Sequence, residues 1–144
     1  MKSTQNENEL FWKGFLQNIK GKSEFFQDSC LSEKHWLKSA VGFEGISINL
    51  VYTKTETKVQ IEFLISKVKN QELFSKFTEI IKSENIKISL IELEKINVFE
   101  FVLKHTKILV AENWYEIYEF ITMQLLTFEK ILNICKEEII EIEN

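Results

Sequence analysis

Proline and arginine are both missing from this 144-residue chain, so all 18 basic residues are lysine. Of the 22 acids only Asp28 is an aspartate, and cysteine occurs just twice. No apolar run approaches the ~20 residues of a membrane-spanning helix. Each shortage excludes something. Arginine grips phosphate and guanine with a two-pronged fork, whereas lysine offers a point charge, so sequence-specific DNA reading is disfavoured. Cys30 and Cys135 lie on unrelated segments, too sparse for a disulfide-stapled secreted domain. They read as free thiols packed as small hydrophobes. The stretch from Met1 to Glu9 is polar and lacks the apolar run of a signal peptide, so the expected compartment is the cytoplasm. Abundant Ile, Asn, Lys and Phe alongside these absences suggest an AT-rich coding sequence, from a low-GC bacterium, its phage or a plasmid.

Hydrophobic residues make up 44% of the chain and aromatics 12%. That suffices for a packed core and excludes general disorder. The length is that of one domain, expected to span 1–144 with residues 1–8 frayed. Charge is uneven. Residues 111–144 hold 2 lysines against 8 acids, a net of −6, while residues 1–110 are near neutral. No basic stripe of the kind nucleic-acid binders show is visible.

Periodicity supplies the elements. Leu10, Phe11, Phe15 and Ile19 recur at helical spacing, predicting a helix over 6–20 that Gly21 stops. Trp36 to Val41 reads as a strand, with Gly42 and Gly45 turning it into the next. Ile46, Ile48, Leu50 and Tyr52 alternate with polar neighbours, and so do Val59, Ile61, Phe63 and Ile65. Two alternating runs around the polar stretch 53–57 predict a β-hairpin with one face in the core and one mostly polar. Helical spacing returns over 69–83 with Leu73, Phe74, Phe77, Ile80 and Ile81. Two more strands follow, Ile86 to Leu93 and Val98 to Lys104. The expectation is an α+β fold. It comprises an N-terminal helix, a mainly antiparallel sheet of about five strands (three strands, a helix, two strands) and a long C-terminal amphipathic helix.

That last helix, 112–142, carries the strongest pattern. Trp114, Tyr118, Ile121, Leu125, Phe128, Leu132, Cys135, Ile139 and Ile142 are separated alternately by four and three residues, a heptad-type seam. Ile117, Phe120, Leu126, Ile131 and Ile134 form a second apolar flank. Some thirty residues span roughly 45 Å, against about 20–25 Å for the width of five strands. The helix is thus predicted to overhang its domain. Its distal half, through Phe128, Leu132, Cys135, Ile139 and Ile142, is expected to be a homodimer or partner interface. The alternative is a helix packed wholly within the monomer.

These landmarks, in this order, resemble a bacterial family known only as a domain of unknown function, often found C-terminal to restriction-endonuclease-like nuclease domains. The resemblance runs from about Glu9 to Cys135. It is carried by Phe11-Trp12 with Phe15, Trp36-Leu37, the pair Gly42 and Gly45, the strand Val59 to Ile65, Leu73-Phe74, Trp114 and Phe128. The chain departs from the pattern after the middle helix, where Ile91-Glu92-Leu93 stands in place of a Trp-led strand. The resemblance implies an α+β fold and an association with DNA restriction or defence, and it carries over no catalytic residues.

Candidate chemistry is thin. Glu56-Thr57-Lys58 has the Glu-x-Lys form found in metal-dependent nucleases, but it falls at a hairpin loop and strand entry, and the sole aspartate lies elsewhere. Cys30, Cys135, His35 and His105 match no zinc spacing and no Cys-His nucleophile arrangement. The four glycines fit no phosphate-binding loop. No metal or cofactor is expected. Lys38, Lys54 and Lys58 lie around the hairpin and are the candidate anion or nucleic-acid contacts, weighed against a merely solvated face. Trp36, Tyr52 and Phe63 read as core, with base stacking as the alternative. The expected function is a non-enzymatic interaction or regulatory module in a phage or bacterial defence or anti-defence setting. It would bind a protein partner and self-associate, with nucleic-acid or nucleotide binding as the alternative and a nuclease as a remote third.

Overall fold

The computed structural model describes residues 7–26, 34–53, 55–105 and 114–143, with the side chains of the last helix through Glu138. In chain order the elements are α1 (Glu7–Ile19), β1 (Trp36–Ala40), β2 (Ile46–Tyr52), β3 (Glu56–Leu64), α2 (Val68–Ser83), β4 (Ser89–Glu92), β5 (Ile96–Lys104) and α3 (Trp114–Glu143). This is the α+β arrangement that the periodicity predicts. α1 already begins at Glu7, inside the stretch expected to be frayed.

The sheet order is β1-β2-β3-β5-β4, with every neighbouring pair antiparallel. β5 inserts between β3 and β4, so α2 carries the chain past a position that is filled only later. Alternation decides the faces. β2 buries Ile46, Ile48, Leu50 and Tyr52; β3 buries Thr57, Val59, Ile61 and Phe63. The register sets Ile48 opposite Ile61 and Leu50 opposite Val59, so the buried residues meet as cross-strand pairs.

All three helices cover this one face. From α1, Phe11 stacks on Tyr52 with ring centroids 3.8 Å apart. From α2, Phe74 and Phe77 each stack on Phe99 at 5.3 Å. From α3, Phe128 meets Phe101 at 5.3 Å and Phe77 at 5.9 Å. Tyr118 ties α3 to α1, donating its hydroxyl to the Phe11 carbonyl at 2.7 Å.

Two expectations need correcting. The strand expected over Ile86 to Leu93 shrinks to Ser89–Glu92. Asn85 adopts φ 55, its N–H bonds Lys82 O, and the Ile86 N–H bonds Ile81 O, which closes the end of α2 in a Schellman-type cap. Ile86 is thus spent on capping the helix and cannot pair in a ladder. Second, α3 does not overhang through Glu138. Trp114 Nε1 donates to Tyr52 Oη at 3.1 Å at the end of β2, and Lys136 lies 5.3 Å from the Phe43 ring just before β2 starts. The helix therefore runs along the strands rather than across them. The seven strand residues of β2 cover about 23 Å and the twenty-three helical residues from Trp114 to Lys136 about 34 Å, so α3 reaches past the start of β2 onto the turn before it while staying packed on the domain. Beyond that, Glu138 pairs with Lys76 of α2 at 3.2 Å.

One helix-to-turn link positions both ends of the hairpin. Asn70 is buried near the start of α2, and its Nδ2 donates to Glu44 O and to Leu64 O, each at 3.0 Å. Gly45 sits between them at φ +82, where a Cβ would stand 2.6 Å from that same Nδ2. Only glycine suits both the left-handed backbone and the close approach.

Candidate interaction surface

With the described helices on one side, the other sheet face carries the outward half of every strand. The register aligns Lys38, Asn49, Gln60, Glu100 and Ser89 in a row across all five strands. Asn49 Nδ2 donates to Gln60 Oε1 at 3.0 Å, and Gln60 Nε2 donates to Glu100 Oε1 at 2.9 Å. Lys58 lies 3.6 Å from Glu100 and 3.5 Å from Glu56, and Lys38 lies 3.5 Å from Glu62. Glu100 is only 8% exposed although no described helix covers it. Its strand neighbours shield it, and Gln60 and Lys58 compensate the desolvated carboxylate.

Apolar residues flank this ladder. On one side Trp36, 42% exposed, and Val102, 38% exposed, stand in the same row of the register, three strands apart with Val51 and Lys58 between them; Ile91 and Val98 lie on the other side. A shallow depression of about 500 Å³ opens at the end of the ladder, between Lys38, Ala40, Phe43, Glu62, Leu64 and Ile96. The face is therefore a neutralised polar centre with aromatic and aliphatic margins. Three lysines, Lys38, Lys58 and Lys104, stand against three glutamates, Glu56, Glu62 and Glu100.

Of the sequence-derived candidates, Lys38 and Lys58 do share this face, each beside carboxylates, while Lys54 lies outside the described residues. Glu56-Thr57-Lys58 forms the entry of β3, as expected, with none of the three in the loop. Thr57 points into the core, where its Oγ1 lies 2.9 Å from His105 Nε2. Among the described residues no three His, Cys, Asp or Glu side chains are grouped to hold a metal ion. Among them, too, no helix is long and apolar enough to cross a membrane.

The proposed interface seam on α3 is corrected outright for three residues. Phe128, Leu132 and Cys135 are buried in the chain's own core. The physical reason is that a four-three seam looks the same whether it packs on a second chain or on the chain's own sheet and neighbouring helix. Burial also pushes the Cys135 thiol up to about 11, the opposite of what a nucleophile needs. The side chains of Ile139 and Ile142 lie outside the described residues.

Sequence reasoning missed Trp36, expected in the core. Its neighbour Leu37 is the one that pairs with Leu50 in the core, which leaves Trp36 on the open face. It also missed Glu100, whose ladder partner Gln60 becomes visible only once β5 is known to lie beside β3.

Residues 8–136 match a family model described as a domain of unknown function (DUF4268). The chain belongs to this family. No curated protein and no solved structure matches it. In this DUF4268 chain most landmarks of the resemblance are packing residues. Phe11, Trp12, Phe15, Leu73 and Phe128 are buried, and Gly45 makes the tight approach to Asn70. They account for the scaffold.

Proposed function

We propose that the chain is a non-enzymatic interaction module that binds a protein partner through the open face of its sheet. The observation that carries this reading is the face, uncovered by any described helix, on which Trp36, Val102 and Ile91 flank a hydrogen-bonded, charge-balanced ladder. Exposed aromatic and aliphatic anchors around a hydrogen-bonded polar centre are the anatomy of a protein–protein interface. Strands of five, seven, nine, four and nine residues present a flat area of about 540 Å², two thirds of the ~800 Å² that each partner buries in a standard interface, before the relief of the side chains is added. Phosphate binding would need lysines free to neutralise it, and here Lys38 and Lys58 already face carboxylates. That weighs against nucleic acid as the partner. The family resemblance supports a setting in bacterial or phage defence, where the partner would be a component of a defence complex that the chain regulates or inhibits.

The test compares wild type with a Trp36→Glu, Val102→Glu variant, both tagged and expressed in the native host, with circular dichroism to verify folding. A protein partner should co-purify with wild type, cross-link to β1 and β5, and fall at least about 10-fold in yield with the variant. Equal recovery by both chains would refute the reading. So would a shift of labelled DNA or RNA by wild type near physiological salt.

A further inference from the structure

The solvent side of α3 has a pattern of its own. Glu116, Glu119, Met123, Leu126, Lys130 and Asn133 are all exposed and are spaced three, four, three, four and three residues apart. Met123 is 65% exposed and Leu126 43%, unusual for large apolar side chains in the middle of a polar helix face. Within these six positions the charges are arranged asymmetrically about the apolar pair, with Glu116 and Glu119 toward the N-terminal side and Lys130 toward the C-terminal side; Glu137, exposed one step further on, falls beyond the layers that a second helix would pair.

We propose that this stripe is a two-fold, antiparallel docking surface for a second copy of the chain. The stripe is its own complement. When a second α3 lies antiparallel across it, Met123 meets the second copy's Leu126, Glu119 meets its Lys130, and Glu116 meets its Asn133. Two-fold symmetry then repeats each contact. These are the paired layers of an antiparallel coiled coil, with apolar contacts in the centre and ion pairs outside them. A parallel copy would instead set Glu119 against Glu119 and Lys130 against Lys130. The antiparallel arrangement also opposes the two helix dipoles favourably. Six layers cover about 27 Å of helix, a small interface that forms a reversible dimer. It lies opposite the seam that packs α3 onto its own sheet, and it does not depend on the open-face reading.

Charge reversal tests the geometry directly, at exposed positions where folding is not at risk. Wild type should sediment as a concentration-dependent dimer at loadings on the order of 100 µM. Glu119→Lys alone and Lys130→Glu alone should each weaken dimerisation at least about 10-fold, because each sets like charges together twice. An equimolar mixture of the two single variants should restore it as a heterodimer. One chain then carries lysine at both positions and the other carries glutamate at both, so each antiparallel contact again joins opposite charges. Leu126→Glu should abolish the dimer. A wild type that stays monomeric, single reversals that leave the dimer intact, or a mixture that remains monomeric would each overturn the proposal.

Discussion

Replacing Asn70 isolates the link between α2 and the hairpin. Its amide donates to two backbone carbonyls, Glu44 O and Leu64 O, from a buried position. Asn70→Ala removes two hydrogen bonds worth about 1 kcal/mol net each and leaves two partly buried carbonyls short of a donor, a total loss of roughly 2–4 kcal/mol. With a urea m-value of about 2 kcal/mol per M, the unfolding midpoint should drop by roughly 1–2 M. Asn70→Asp keeps the shape but sets a carboxylate against the same two oxygens. That environment raises the folded-state pKa of the new carboxyl above its unfolded value near 3.9. The penalty is therefore absent below about pH 4, where a protonated carboxyl still donates one hydrogen bond, and it grows as pH rises through the unfolded pKa. Urea titrations of the Asp variant at pH 4 and pH 7 should diverge from wild type in that direction. Gly45→Ala drives a Cβ into the Asn70 amide, so its cost should be partly absorbed in the Asn70→Ala background, a coupling of about 0.5–3 kcal/mol. An Ala variant whose midpoint falls by less than about 0.3 M, or strictly additive costs, would show that the link does not hold the hairpin.

Three further outcomes follow from the packing. Gly14→Ala places a Cβ against the Tyr118 hydroxyl and should cost roughly 1–3 kcal/mol by thermal denaturation, with Tyr118→Phe in the same chain relieving part of it. Phe128→Ala should destabilise the monomer by about 3–5 kcal/mol; an unchanged melting temperature with altered sedimentation would instead return Phe128 to an interface. Cys135 should resist iodoacetamide in the native state at pH 8, as mapped by mass spectrometry. Its thiol is held protonated up to about 11 against an ordinary 9.0, so its contribution to stability is complete below pH 9 and declines between pH 9 and 11. Tyr118, whose phenol is also pushed up by burial, acts in the same direction at higher pH.

The parts of the fold legible in sequence are those set by local periodicity. β2 and β3 are readable because alternation has a period of two and the hairpin joins neighbours, and α2 because its apolar residues repeat every three or four. What stays hidden depends on contacts between distant segments. The shortening of β4 turns on Asn85 taking a left-handed conformation, which a search for glycine overlooks. The direction of α3 over the sheet follows from Trp114 meeting Tyr52 and Lys136 meeting Phe43, neither of which is written in a helical repeat. The Gln60–Glu100 ladder requires β5 to pair with β3 rather than with β4 alone. The burial of Phe128, Leu132 and Cys135 shows the limit most clearly. A heptad seam states that a helix has a partner and not which chain supplies it.

The two proposed surfaces also constrain one another. The open sheet face and the exposed stripe of α3 lie on opposite sides of the domain, since α3 packs on the covered face of the sheet. An antiparallel α3 dimer would thus stack as sheet, helices, helices, sheet, with the two open faces pointing away from each other about 30 Å apart. One rigid partner domain could not reach both faces. The dimer would instead engage two partner copies, and its advantage would appear only against a partner that is itself paired or locally concentrated, through effective concentration rather than new contacts. The stoichiometry separates the ideas. Wild type with its partner should form a 2:2 complex, and Leu126→Glu a 1:1 complex with unchanged intrinsic affinity. A variant that lost the partner along with the dimer would mean that the partner binds across α3, and the open face would then lose its assigned role.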